Sequence, residues 1–187
     1  MADRLAQLHG VLAIHFGGSR AAGTATEGAD WDCSIYYRRS FDVGEIRALG
    51  WAGTVSEIGG WGPVMNGGAW LTVDSQAVDV HYRDLDEIDR LRTDAAAGTF
   101  SVYRSPFFIA GIPSYVPLAE LASGIVLRGE LRPPEFSAPL RRRGGRMVAP
   151  RSGARLGLHR ESQEAVARGC NGHPQQSDFR SCSCATV

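Results

Sequence analysis

Lysine is absent: all 20 basic residues of the 187-residue chain are arginines. Three mechanisms fall with it, because a Walker-A phosphate loop, a Schiff-base enzyme and a protein kinase each need a lysine amine at a fixed place. Any phosphate grip here must come from backbone N–H groups, hydroxyls, arginine or metal ions. Net charge is missing too, since 20 Lys+Arg balance 20 Asp+Glu. No electrostatic excess therefore points to nucleic acid or a membrane as partner. No apolar run approaches the roughly 20 residues a bilayer span needs, and the opening Met1-Ala2-Asp3-Arg4 has no signal-like apolar segment. The expectation is a cytoplasmic protein. Cysteine is scarce, and three of the four (Cys170, Cys182 and Cys184) crowd near the C-terminus. The short Cys-x-Cys spacing without strand signals around it argues against structural zinc, and a reducing compartment argues against a disulfide.

The neutral total conceals a division. Residues 1–131 hold ten arginines against sixteen acids, and residues 132–187 hold ten against four. The second stretch also has no Trp, Tyr or Ile. The pair Pro133-Pro134 disfavours a helix running through, so a boundary is placed at 131/132. Residues 1–131 are expected to form one α+β domain, followed by an Arg/Gly/Pro-rich tail, 132–187, that is divergent or poorly ordered. Arg141-Arg142-Arg143 within it reads as a solvated charge run.

The periodicity of the first part is informative. Val11 to Phe16 is a compact apolar run stopped by Gly17-Gly18, which predicts a buried strand entering a tight turn. Trp31 to Tyr37 predicts a second strand, with Trp31, Cys33 and Ile35 on one face and Asp30, Asp32 and Ser34 on the other. Short helices are predicted over 2–10 and 117–123. Capping signatures at Asp42-Val43-Gly44-Glu45 and Asp84-Leu85-Asp86-Glu87 predict helices over 43–49 and 84–97, the second closed by Gly98. Residues 59–68 read as a glycine-rich loop, and Ala69–Val73 with Ala77–Tyr82 as a hairpin turning at Asp74-Ser75-Gln76.

Three acids stand out on this scaffold. Asp30 and Asp32 project from one strand face, roughly 6–7 Å apart at the α-carbons. Asp79 lies between Val78 and Val80, where a carboxylate is costly unless it is paired, hydrogen-bonded or bound to a cation. If the two strands are neighbours, the three converge; a divalent cation is then the natural counter-charge, with oxygen ligands favouring Mg²⁺ or Mn²⁺. An arginine partner for Asp79 is the structural alternative. Upstream, Gly17, Gly18, Ser19 and Arg20 offer an anion nest, a hydroxyl and a permanent positive charge. A phosphate grip beside a metal grip suits a nucleoside triphosphate. His81 shares the face of Asp79 but reads as a satisfied sheet histidine, and His15 as a packed one. Trp61 and Trp70 flank the glycine loop and are candidates either for packing or for stacking on a base.

In Gly18-Ser19, Asp30-Trp31-Asp32 and Asp79, taken in order, the chain resembles the DNA polymerase β-like nucleotidyltransferase superfamily. The stretch Gly18-Ser19-Arg20-Ala21-Ala22-Gly23-Thr24 looks especially like its minimal and antibiotic-modifying members. The resemblance covers residues 5–90 and extends more loosely to 130. It implies a mixed β-sheet backed by helices, and transfer of NMP from an NTP to a hydroxyl with release of pyrophosphate. Asp30, Asp32 and Asp79 would hold two Mg²⁺ ions, Mn²⁺ being an alternative, and Asp79 would serve the acceptor side. Gly17, Gly18, Ser19 and Arg20 would hold the triphosphate. The acceptor stays open between an aminoglycoside-like small molecule and a protein or tRNA. The tail has the composition of GC-rich coding read out of frame, as if a frameshift had replaced a helical acceptor-binding region. Three alternatives stand beside it: a catalytically silent NTP-binding module, a toxin-like nucleotidyltransferase paired with a helical antitoxin, and a nucleic-acid-binding protein that uses its arginine tail. A second copy of the chain is a further candidate partner.

Overall fold

The computed structural model of the chain describes residues 1–105 and 108–148. Elements follow in the order α1 (Ala2–Ala6), β1 (Val11–Phe16), α2 (Gly18–Ala21), β2 (Trp31–Tyr37), α3 (Val43–Ala48), β3 (Ala52–Val55), α4 (Gly62–Met65), β4 (Gly68–Val73) and β5 (Gln76–Asp84). Then come α5 (Leu85–Ala96), β6 (Val102–Ser105), β7 (Phe108–Pro113), α6 (Val116–Ser123), β8 (Ile125–Arg128) and α7 (Ala138–Val148). Among the described residues, eight strands make two sheets: a six-stranded one in the order β3-β4-β5-β2-β1-β8, and the β6–β7 hairpin. The large sheet is mixed, because β2 runs parallel to β5 while its other pairs are antiparallel. This is the α+β architecture expected from the sequence.

Alternation along the strands separates two cores. One face carries Ile14, Ile35, Tyr37, Leu71, Val78, Val80 and Tyr82, covered by Leu5 and Leu8 from the N-terminal segment and by Val43 and Ile46 of α3. On the other face, Ala13 and Tyr36 pack beneath Ile88 and Leu91 of α5, Leu118 and Leu121 of α6 and Leu140 of α7. This helical layer covers one end of that face, and the polar rows lie towards the other.

Local chemistry explains the elements. The Asp42 carboxylate accepts from the Gly44 N–H at 2.8 Å and opens α3, and the Asp84 carboxylate accepts from Asp86 N–H at 2.9 Å and opens α5. Gly98, at φ 71°, closes α5 as its N–H reaches the Ala95 carbonyl at 3.1 Å. Asp74 and Ser75 both take positive φ (50° and 64°), which makes a two-residue turn whose twist suits the β4–β5 hairpin.

Two expectations are revised. Residues 59–68 are not loop throughout, because Gly62–Met65 forms a helical turn with Pro63 in its first turn, where the missing N–H is harmless. Over 132–148 the chain does not part from the body. Phe136 and Leu140 pack into the second core, and Ser137 Oγ donates to the Ala95 carbonyl at 2.6 Å. Arg92 reaches back to the carbonyl of Pro133 at 2.8 Å. The remainder of the expected tail, 149–187, with Cys170, Cys182 and Cys184, lies outside the described residues.

Candidate active site

Strand β1 delivers the chain to a turn that lies against the start of β2. The Gly17 N–H donates to the Asp32 carbonyl at 2.9 Å. Gly18 takes φ 66°, and a Cβ built on it would stand 1.7 Å from Asp32 Oδ2. Backbone conformation and the carboxylate pressed against the Cα both require glycine here. Ser19 follows, half-buried in α2.

Arg20 is occupied differently from the expectation of a phosphate ligand. Its Nε donates to the carbonyls of Ala29 (3.0 Å) and Asp30 (3.1 Å), and Nη2 to Ala29 (2.6 Å). The guanidinium also lies 4.5 Å from the centre of the Trp31 ring, a cation–π contact. Arg20 therefore fixes the backbone that carries Asp30 into β2.

The three acids face one patch. Asp32 on β2 is opposite Asp79 on the parallel neighbour β5. In-register parallel strands place both side chains on the same face, one strand spacing of about 4.8 Å apart. Asp30, two residues before Asp32, lies towards them. Burial first, and then the negative charges of Asp30, Asp79 and Glu120, push the Asp32 carboxyl up to about 6. Asp79 is raised as well, by burial and then by Asp30, against a hydrogen bond from Trp70 that favours its charged form. Among the described residues, no ion pair engages any of the three.

Uncompensated, all-oxygen donors of this kind fit a hard divalent cation. Among the described residues, no three acid, histidine or cysteine side chains are already drawn together as a ligand set. The patch supplies charge and donor type rather than a closed cage.

On the outer side of Asp79 stands Trp70 of β4, its direct register partner. Trp70 is 53% exposed. Trp61 stacks on it with ring centroids 4.6 Å apart and planes at 25°. Gly68 makes this overlay possible, since a Cβ there would lie 2.5 Å from the Trp61 ring.

One row further along the sheet, His15, Ser34 and His81 stand opposite one another on β1, β2 and β5. Burial, then Arg83, lowers His81 to about 4. Burial also lowers His15 against a hydrogen bond to the Leu121 backbone, and its ring edge rests where Gly124 lacks a Cβ. Burial thus favours the neutral imidazole at both positions.

Sequence reasoning missed the ion pair beneath this row. Arg83, only 2% exposed, donates through Nε (3.1 Å) and Nη2 (2.5 Å) to Glu120 of α6. Its Nη1 also reaches the carbonyls of Met65 (2.9 Å) and Tyr82 (3.2 Å). The alternation Asp79, His81, Arg83 placed the arginine on this face. Nothing local marked Glu120, whose α6 follows the second hairpin.

Residues 1–65 match the family model described as a nucleotidyltransferase domain. This first third of the chain is thus similar to a nucleotidyltransferase domain. No curated protein sequence matches it. The matched segment contains β1, the Gly17-Gly18-Ser19 turn and Asp30-Trp31-Asp32, and ends before Asp79. Among the described residues, no helix is long and apolar enough to cross a membrane.

Proposed function

We propose that the protein transfers NMP from a Mg²⁺-bound NTP to an acceptor hydroxyl and releases pyrophosphate. The carrying observation is Asp32, held between the Cα of Gly18 on one side and Asp79 on the other. One residue thereby joins the phosphate-binding turn to the acid patch.

The roles follow from position. Backbone N–H groups of Gly18 and Ser19 and the Ser19 hydroxyl bind the terminal phosphates, while the Gly17 N–H stays on the Asp32 carbonyl. Asp30, Asp32 and Asp79 provide the donors for two Mg²⁺ ions, with Mn²⁺ as a substitute; such ions supply charge neutralisation to the triphosphate and lower the pKa of a bound hydroxyl. Asp79 lies farthest from the turn and receives the proton of the acceptor hydroxyl. As the acceptor oxygen forms its bond to the α-phosphorus, the bond from that phosphorus to the bridging oxygen breaks, and the electron pair leaves with pyrophosphate. Arg20 keeps Asp30 in place throughout.

Calorimetric titration with a non-hydrolysable ATP analogue tests this reading. Wild type should bind it only with Mg²⁺ or Mn²⁺ present. Asp32→Asn should weaken binding at least about tenfold, or about 1.4 kcal/mol, with an unchanged circular-dichroism spectrum. Retained metal-dependent affinity in that variant would remove Asp32 from the site. Binding without pyrophosphate release across an acceptor panel would mark the silent module instead.

A further inference from the structure

We infer that the open face of Trp70 is the acceptor platform, and that the acceptor carries its reactive hydroxyl on a ring flat enough to lie against an indole. The inference rests on the nucleotidyl-transfer reading above and adds a substrate class to it.

Neighbouring strands β1, β2, β5 and β4 present, in turn, the phosphate-binding turn, Asp32, Asp79 and Trp70 along one line. At about 4.8 Å per strand, Trp70 stands about 5 Å beyond Asp79 and about 10 Å beyond Asp32. In an in-line displacement, the attacking hydroxyl and the leaving pyrophosphate occupy opposite sides of the α-phosphorus. Phosphates at the Gly17–Ser19 turn therefore put the acceptor on the side of Asp79, and whatever lies past Asp79 meets Trp70. The two tryptophans thus belong to the acceptor, not to the base for which their sequence position made them candidates.

Three observations make Trp70 a platform and not a packing residue. It is 53% exposed although it lies on a strand of the main sheet. Trp61 covers one face of the ring at 4.6 Å and holds it in place, with Gly68 leaving room for that overlay. Trp70 is also the direct register partner of Asp79 on the neighbouring strand, which sets the stacking surface beside the group that meets the hydroxyl. A sugar ring presenting C–H groups and an aromatic ring share the flat, weakly polar face that stacks on an indole, and an acyclic polyol does not.

The test uses the full chain with Mg²⁺ and adenosine 5′-(α,β-methylene)triphosphate, followed by ring probes. Trp70→Ala should bind the nucleotide analogue within about twofold of wild type. On the analogue-loaded protein, saturation-transfer NMR should show binding of a methyl pyranoside or a phenol, and none of glycerol. The ring signal should survive in Trp70→Phe, which keeps a flat face, and fall at least about fivefold in Trp70→Ala, as expected for loss of one stacking contact. A tenfold loss of analogue affinity in Trp70→Ala would place the base on the indole and overturn the inference. So would ring binding indifferent to Trp70, no ring binding at all, or equal binding of glycerol. Failure of wild type to bind the analogue is a separate result, which removes the nucleotidyl-transfer reading itself. Which ring class binds, pyranoside or phenol, distinguishes the two sources of the shared chemistry.

Discussion

Gly18 is where a single side chain has the largest leverage. A methyl group there would be forced into the Asp32 carboxylate while the backbone sits at φ 66°. Gly18→Ala should therefore abolish metal-dependent nucleotide binding and cost about 1–2 kcal/mol of stability, read by titration and urea unfolding. Asp32 gives a pH signature. Its folded carboxyl is raised to about 6 above an unfolded value of about 3.9, so the folded state holds more protons between those limits. The associated stability is present in full below about pH 4 and is lost as pH rises through about 6. Asp32→Asn should melt at a higher temperature than wild type at pH 7.5, and the gap should close towards pH 4. Cation binding needs the unprotonated form, so in wild type metal-dependent nucleotide affinity should fall as pH drops below about 6. The acids and glycines of the candidate site stand out in the sequence because each is locally anomalous: two aspartates spaced by one on a strand, and a carboxylate between valines. The commitment of Arg20 to the Ala29 and Asp30 carbonyls was not legible, since nothing in its neighbours says which acceptors the loop brings round.

At the scale of elements, strand β5 is the hinge between chemistry and support, because Asp79 and Arg83 alternate along it. Arg83 ties β5 to α6 through Glu120 and to α4 through the Met65 carbonyl. Arg83→Ala should destabilise by about 3–5 kcal/mol, since it leaves Glu120 without its cation. The double variant Arg83→Met/Glu120→Leu should recover much of that loss in denaturant titrations. Elements with a complete local signature could be read: β2 from its alternation, α3 and α5 from their capping aspartates, the β4–β5 hairpin from its turn. The ones that were missed have none. Strand β3 is almost wholly exposed, and β8 is a four-residue edge with two exposed apolar residues, Ile125 and Val126. Both exist because a distant strand pairs with them, which is information no short window contains.

For the molecule as a whole, the second core depends on residues past the di-proline. Leu140 is 3% exposed among residues of α5 and α6, so Leu140→Ala should cost about 2–5 kcal/mol. A chain ended at residue 131 should melt below one ended at 148, by calorimetry. Composition suggested a boundary at 131/132 because charge balance and aromatic content change there. Leu140, buried in that core among the described side chains of α7, with Phe136 just before it, barely alters those averages, although its contacts hold the helix to the body.

The order of strands in the large sheet also has a consequence for synthesis. Strand β1 pairs on one side with β2, only fifteen residues beyond its end, but on the other with β8, which ends at Arg128; Arg128 in turn bonds to Asp3. A chain emerging from the ribosome thus presents β1 with an unpaired edge until translation has passed residue 128. At about 5–20 residues per second, the stretch from the end of the family-matched segment to that point takes several seconds. During that interval the Gly17–Ser19 turn hangs from a strand with a free side, open to pairing with another nascent chain.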